Sequence, residues 1–363
     1  MRKKGKVLVA MSGGVDSSVT AALLVAQGYT VIGMMLTLWS ERGHEAENRC
    51  CTPDSMRLAQ LVAAQLNIPF YTIDAKKAFY EEVVTSFMQA YQAGLTPNPC
   101  LRCNRLIRWG LLFNYVEQIG ADYFATGHYA IIRKDRSHQT KLFQAKDKTK
   151  DQSYVLHVLT QADLEKTLLP IGGLKKTEVR QLAIDFNLPV AARQDSQDLC
   201  FLGGGDYRNF LRRNAPSAIQ PGNIIDTQGN IIGEHQGLAF YTIGQRRNLG
   251  LKSTQPLFVI RKDISTNSLV VGTKEDTLRS KFNVKNVNWI NGLPQNSQIK
   301  VGVKVRYRSP ILPGMIRINN DNQVEVSLKE PYFDITPGQA AVFYQKNWCL
   351  GGGLIAEDDF IRS

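Results

Sequence analysis

The sequence predicts an α/β protein in three parts: an N-terminal doubly wound parallel-sheet domain over residues 1–205, a small central domain over 206–279, and a C-terminal antiparallel β-barrel over 280–363. Three observations predict it. The apolar run Val7-Leu8-Val9-Ala10 reads as a buried strand; Ser12-Gly13-Gly14, Asp16-Ser17-Ser18 and a helix-compatible stretch ending at Gly28 follow it. Apolar runs and amphipathic stretches then alternate to about residue 200, the pattern of a parallel sheet covered by helices. From about residue 280 the chain is short β runs separated by Gly, Pro and Asn turns, as in a small barrel.

Taken in order, Thr30 to Leu38 is a second buried strand, and Trp39 to Asp54 is a polar loop whose adjacent Cys50 and Cys51 read as structural or incidental. Ser55 to Leu66 is a helix with Asp54 as its cap, and Pro69 to Ile73 a third strand. Ala78 to Ala93 is a long amphipathic helix stopped by Gly94. Pro97 and Pro99 argue against helix between Gly94 and Arg105, so Asn98, Cys100, Cys103 and Asn104 are expected on a rigid loop. A helix over 105–119 and a strand from Asp122 to Thr126 lead to Gly127-His128-Tyr129.

Residues 131–150 are polar without a clear element, and Lys150-Asp151-Gln152-Ser153-Tyr154 reads as a charged turn entering a helix. Residues 161–192 look helical with a break at Pro170-Ile171-Gly172-Gly173, and Cys200 precedes Gly203-Gly204-Gly205. Beyond it, Tyr207 to Asn214 is a short basic helix, and strands are expected over 222–226, 229–235, 257–263, 268–272, 304–309, 324–328, 341–345 and 348–355.

The formal net charge is +12, and both halves of the chain are basic. A basic soluble enzyme and a protein with a polyanionic partner such as RNA both fit. No apolar run reaches the length of a membrane span, and Met1-Arg2-Lys3-Lys4 is followed by too short an apolar run for a signal peptide, so a cytoplasmic protein with no membrane partner is expected. In a reducing compartment, closely spaced cysteines among the six suggest catalysis or metal binding rather than disulfides. Cys100-x-x-Cys103 reads as half a zinc site, a redox pair or cluster ligation; a second CxxC is absent, which argues against a closed four-cysteine zinc site.

The first turn carries the chemistry. Glycines let a backbone approach a ligand closely, and a helix start offers unpaired N–H groups and a positive dipole end. Ser12, Ser17 and Ser18 add hydroxyls, and Asp16 can orient Mg2+ or a phosphate. The string SGGVDSS lacks the lysine of the Walker-type loop and resembles the PP-loop of ATP pyrophosphatases, which cleave ATP between its α and β phosphates and adenylate a substrate oxygen.

SGGVDSS, TPNPCxxCN, TGHY, KDQSY, DSQDLCF, YTIGQRRNLGL, RYR, PGQAAVFY and CLGGG occur in this order over nearly the whole chain. Together they resemble the MnmA family, the tRNA-specific 2-thiouridylases. The resemblance implies a PP-loop domain, a central domain and a β-barrel, and ATP-dependent replacement of the C2 oxygen of the wobble uridine by sulfur. It implies that Ala10, Met11, Ser12, Gly13, Gly14, Val15, Asp16 and Ser17 bind ATP with Mg2+, with Leu36 and Gly127 around the adenosine. Cys103 matches the family's nucleophile and Cys200 the persulfide carrier, the two forming a transient disulfide. Asn98, Pro99 and Cys100 match the loop that touches the target base; His128, Lys150, Asp151, Gln152, Tyr307, Arg308 and Gln339 match positions that meet tRNA. Arg102 and Arg105 are candidates for favouring the Cys103 thiolate.

The implied partners are the anticodon loop of tRNA and a sulfur-donor protein such as a cysteine desulfurase or relay protein. One position departs from the family: its best-known members carry Asp where this chain has Cys100. That departure creates a three-thiol set, Cys100, Cys103 and Cys200, so a [4Fe-4S] cluster is the alternative mechanism. Another PP-loop adenylating ligase is the alternative function.

Overall fold

The computed structural model describes residues 4–41, 43, 52–194, 199–202, 206–319 and 322–357. The chain divides into two compact units: Met1–Val84, Pro99–Gly205 and Asn347–Cys349 form the first, and Thr85–Asn98, Asp206–Lys346 and Leu350–Ser363 the second.

The first unit is built on a parallel sheet of β1 (Lys6–Ala10), β2 (Thr30–Thr37), β3 (Phe70–Asp74), β4 (Tyr123–Ala125), and, after a hairpin of β5 (Ala130–Lys134) and β6 (Thr140–Gln144), β7 (Thr167–Leu168). Its order is β3-β2-β1-β4-β7. Val7, Leu8 and Val9 are fully buried, because β1 lies mid-sheet with helices on its faces. The chain runs outward from β1 to β2 and β3 on one side and returns to β4 on the other. The strand order therefore reverses beside β1, where ligands bind in doubly wound sheets. Helix α1 (Val15–Ala26) follows β1 directly, and α2 (Pro53–Gln65) covers the sheet with Ala59, Val62 and Ala63.

Several elements differ from the sequence expectation. The cap of α2 is Thr52, whose hydroxyl accepts from Ser55 N at 3.1 Å; Pro53 fills the first helical position, and Asp54 sits inside the first turn. The segment after Pro97 is helical from Pro99, since proline at a first helical position surrenders an N–H that has no partner there anyway. That helix, Pro99–Arg102, runs straight into a π-helix, Cys103–Leu112, so the CxxC pair stands on a helix and not on a loop. The polar stretch 131–150 contains the β5–β6 hairpin: Asp135 Oδ1 accepts from Ser137 N and Gln139 N, and His138 takes φ 62° to close the turn. Residues 161–192 hold two separate helices, Gln161–Glu165 and Lys176–Asp185, with β7 between them. Cys50 and Cys51 lie outside the described residues.

The second unit contains a helix, Tyr207–Asn214, where the sequence places it, and a four-stranded sheet of β8 (Gly222–Ile225), β9 (Ile231–His235), β10 (Phe258–Asp263) and β11 (Ser268–Gly272) in the order β10-β11-β8-β9. Six antiparallel strands follow: β12 (Arg279–Trp289), β13 (Gln298–Lys304), β14 (Leu312–Ile318), β15 (Val324–Tyr332), β16 (Ala340–Gln345) and β17 (Trp348–Ile355). They run in the order β12-β15-β14-β13-β16-β17, and pairing of β12 with β17 closes the barrel. Val324, Val326 and Leu328 alternate inward with period two, which fixes the register of β15. Residues 305–309 form a turn after β13 instead of the expected strand; the Ser309 hydroxyl accepts from Val305 N and Arg306 N there. No helix among the described residues is long and apolar enough to cross a membrane.

Candidate active site

The turn between β1 and α1 is built for close backbone approach. Gly13 has φ 68°, and a Cβ there would collide with the carbonyl of Ser55. Gly127, at the end of the β4 segment, lies so near the same turn that a Cβ would sit 2.7 Å from Ser17 N. Inside the turn, Ser17 Oγ accepts from Ser12 N at 3.1 Å and lies 3.2 Å from Ser12 Oγ, and Ser18 Oγ donates to Gly14 O at 2.9 Å. From outside, Arg193 braces it, donating from Nη1 to Gly13 O at 2.9 Å and from Nη2 to Ser55 Oγ at 2.7 Å. The helix start thus presents an ordered concave set of N–H and O–H groups suited to an anion.

Asp16, in the first turn of α1, is held by two groups from distant sequence. Tyr129 OH and Lys176 Nζ each donate to its Oδ1 at 2.7 Å. Lys176 is buried, so this ammonium supplies positive charge beside a loop that has no lysine of its own.

Ala10, Met11, Ser12, Asp16 and Ser17 line a cavity with Leu36, Cys103, Gly127, His128 and Gln152. The fold thus brings seven of the ten expected ATP-site residues to one space with one expected catalytic cysteine. Met34, Met35 and Leu38 give that space an apolar wall. His128 is buried with Nδ1 2.8 Å from Thr126 Oγ1; burial first, then the Arg108 guanidinium, holds it well below the usual imidazole range, so it is neutral.

The π-helix delivers Cys103. Its i→i+5 bonds bring residues five apart onto one face, and Cys103 and Arg108, Ile107 and Leu112 all line the cavity. The opposite face is anchored: Trp109 Nε1 donates to Thr167 Oγ1 at 2.9 Å, and the ring packs edge-on against Phe124 at 5.3 Å. Arg102 and Arg105 point elsewhere, to Glu82 and Asp163, each at 2.8 Å.

The remaining expected residues are distributed. Cys200 is partly exposed and is not among the cavity-lining residues; its neighbour Phe201 packs on Phe79 at 6.0 Å. Pro99 is buried, Cys100 is exposed and Lys150 is half-buried. In the second unit, Asn98 is half-buried, Tyr307 and Arg308 are exposed on the turn after β13, and Gln339 donates to Thr96 O at 2.8 Å. Gln152, which lines the cavity, accepts from Tyr129 N at 2.9 Å, tying it to the segment between β4 and β5.

Asp151 is only 3 % exposed, and its carboxylate accepts from Gln144 Nε2, Ala145 N, Ser153 N and Ser153 Oγ at 3.0–3.2 Å. Asp151→Ala strands those donors and is expected to cost at least about 3 kcal/mol. A clear drop in the urea midpoint checks this; an unchanged midpoint would remove Asp151 from the structural framework.

Sequence comparison gives the family. The description "tRNA methyl transferase HUP domain" matches residues 5–204, a PRC-barrel domain of the same group 208–273, and an aminomethyltransferase β-barrel domain 279–355. The tRNA-specific 2-thiouridylase MnmA of Chloroflexus aggregans is 44 % identical over 355 residues, covering 97 % of this chain and 99 % of that protein. That of Magnetococcus marinus is 41 % identical over 357 residues, covering 98 % and 100 %. The chain belongs to the MnmA family. Within an MnmA framework Cys100 is the position to watch. Cys100 is exposed and Cys103 buried, so the CxxC thiols differ in environment. Among the described residues no group of three His, Cys, Asp or Glu converges on a metal-binding point.

Sequence reasoning missed Tyr129, Lys176, Arg193 and Arg108 as parts of this site. The first three meet the loop over 113, 160 and 180 residues of sequence, and no local pattern encodes such contacts. Arg108 depends on the π-helical register.

Proposed function

We propose that this protein transfers sulfur to C2 of the wobble uridine of tRNA at the expense of ATP. The observation that carries the proposal is the shared cavity: an anion-binding glycine turn and a buried cysteine, Cys103, line the same space. Ala10 to Ser17 cradle the nucleotide phosphates, and Leu36 and Gly127 flank the adenosine. The donor set suits Mg2+: among the described residues Asp16 is the carboxylate lining the cavity and Ser12 and Ser17 line it too, while Mg2+ is usually held by one or two carboxylates plus substrate phosphate oxygens. When bound, the ion offsets charge building on the departing pyrophosphate.

A pyrimidine C2 carbonyl is a poor electrophile with a poor leaving group. Adenylation of the C2 oxygen releases pyrophosphate and lets that oxygen leave in AMP. A persulfide on Cys200, loaded by a cysteine desulfurase or relay protein, attacks C2 with its terminal sulfur and expels AMP. The Cys103 thiolate then attacks the Cys200 sulfur. 2-Thiouridine departs, a Cys103–Cys200 disulfide forms, and an external thiol reductant restores both cysteines. The alternative order, in which Cys103 first releases hydrosulfide from the persulfide, ends in the same disulfide. Asn98, Pro99 and Cys100 receive a base that an anticodon loop already leaves nearly unstacked. His128, Lys150, Asp151, Gln152, Tyr307, Arg308 and Gln339 hold or position the RNA, in the cytoplasm.

Pyrophosphate release from ATP, measured with and without tRNA, tests the proposal. Release that requires tRNA is expected; release without it favours another PP-loop adenylating ligase, and none under either condition removes the catalytic reading. The basic surface has its own test. tRNA binding is expected to weaken steeply with salt, and Arg308→Ala to lower both affinity and the salt slope, the latter by about one. A salt-independent affinity would exclude the basic surface as the tRNA site.

A further inference from the structure

Three arginines follow Cys100 within one short helical run, and they differ in whether they line the cavity. Arg102 donates from Nε to Glu82 O at 2.7 Å and from Nη2 to Glu82 Oε2 at 2.8 Å. Arg105 binds Asp163 Oδ2 at 2.8 Å. Neither lines the cavity, whereas Arg108 does, together with Cys103.

The helix type accounts for this. In a regular α-helix at 3.6 residues per turn, a side chain five positions on points about 140° away from the first. In a π-helix the wider turn brings it back to the same face. Cys103–Leu112 is π-helical throughout, so the register itself aims Arg108 and Cys103 into one space. π-Turns are rare, and they recur at functional sites.

Among the described residues, the other acid and imidazole side chains lining that cavity do not supply a cation. Asp16 on α1 carries a carboxylate held by Lys176 and Tyr129, and His128 after β4 is buried and neutral. Arg108 is the permanently charged base among the described lining residues.

We propose that Arg108 activates Cys103, holding it as a thiolate inside the nucleotide cavity. The inference rests on Cys103 being the nucleophile of the proposed reaction. A guanidinium facing the same cavity favours the charged form of a thiol and lowers its pKa, by about one unit or more where the charge lies close. Without such a cation, burial would push the thiol the other way and leave it inert at neutral pH.

The test is alkylation of Cys103 by iodoacetamide in the full-length protein, followed against pH by mass spectrometry of the peptide that carries it. In the unmutated protein the midpoint is expected about one pH unit or more below the ordinary thiol value of about 8.5. Arg108→Gln is expected to raise the midpoint by about one unit, slowing alkylation near neutral pH about tenfold, and Arg108→Lys to restore most of it. The thermal unfolding midpoint reports whether each variant keeps its fold. An unmutated midpoint at or above the ordinary value overturns the inference, whatever the variants do. So does an unshifted alkylation midpoint in an Arg108→Gln variant that unfolds at the unmutated temperature. Neither result touches the sulfur-transfer proposal, which stands or falls on Cys103→Ser and Cys200→Ser.

Discussion

Cys103→Ser and Cys200→Ser are each expected to stop 2-thiouridine formation, by about a thousandfold or more, equivalent to about 4 kcal/mol of barrier. Pyrophosphate release in the presence of tRNA is expected to persist in both, because adenylation belongs to the glycine turn and sulfur transfer to the thiols. A hydroxyl is a far poorer nucleophile than a thiolate and cannot carry a persulfide. Cys100→Ser divides the two mechanisms. On the persulfide route it leaves substantial activity, since this exposed thiol lies off the sulfur path. On the cluster route it removes activity together with iron and the visible absorbance of anaerobically purified protein. Cys349 is fully buried in β17, so Cys349→Ala is expected to lower stability without touching the chemistry. Retention of thiolation by Cys103→Ser would overturn the nucleophile assignment.

Asp16→Ala is the second large effect. It removes the carboxylate from the nucleotide cavity, and thiolation is expected to vanish with tRNA affinity nearly intact. It also leaves the buried Lys176 ammonium without the carboxylate it now binds at 2.7 Å. Because Asp16 is about one-third exposed (side-chain value 34 %), solvent screens the pair, and the stability loss is about 2 kcal/mol instead of the larger cost of a fully buried charge. Adding Lys176→Met to Asp16→Ala is expected to recover stability but not activity. Recovery of activity in the double variant, or wild-type turnover in Asp16→Ala, would separate this loop from catalysis.

Much of this was legible in the residues because it is local. The run Val7 to Ala10, the two glycines and the hydroxyls of Ser12, Ser17 and Ser18 are contiguous, and strand, turn and helix start follow from propensity alone. The period-two alternation of Val324, Val326 and Leu328 announced a barrel strand for the same reason. Where prolines were read as breakers, the sequence misled: Pro99 opens a helix because the first helical position needs no N–H donor. The hairpin around Asp135 was hidden by its polar residues, since its turn is set by one carboxylate accepting from two backbone N–H groups. The contacts of Lys176, Tyr129 and Arg193 with the loop are products of tertiary packing. The π-helical register that aims Arg108 at the cavity has no composition signature.

The central claim is that one cavity couples ATP cleavage to thiolation of tRNA. The most direct measurement incubates the purified protein with unmodified tRNA, ATP, Mg2+, a persulfide source and a thiol reductant, then digests the tRNA and quantifies 2-thiouridine by mass spectrometry alongside AMP and pyrophosphate. The account predicts one 2-thiouridine per AMP and per pyrophosphate, confined to the wobble position, and none when ATP is omitted. Thiolation without ATP, or tRNA-dependent pyrophosphate release with no sulfur entering the RNA, would contradict it.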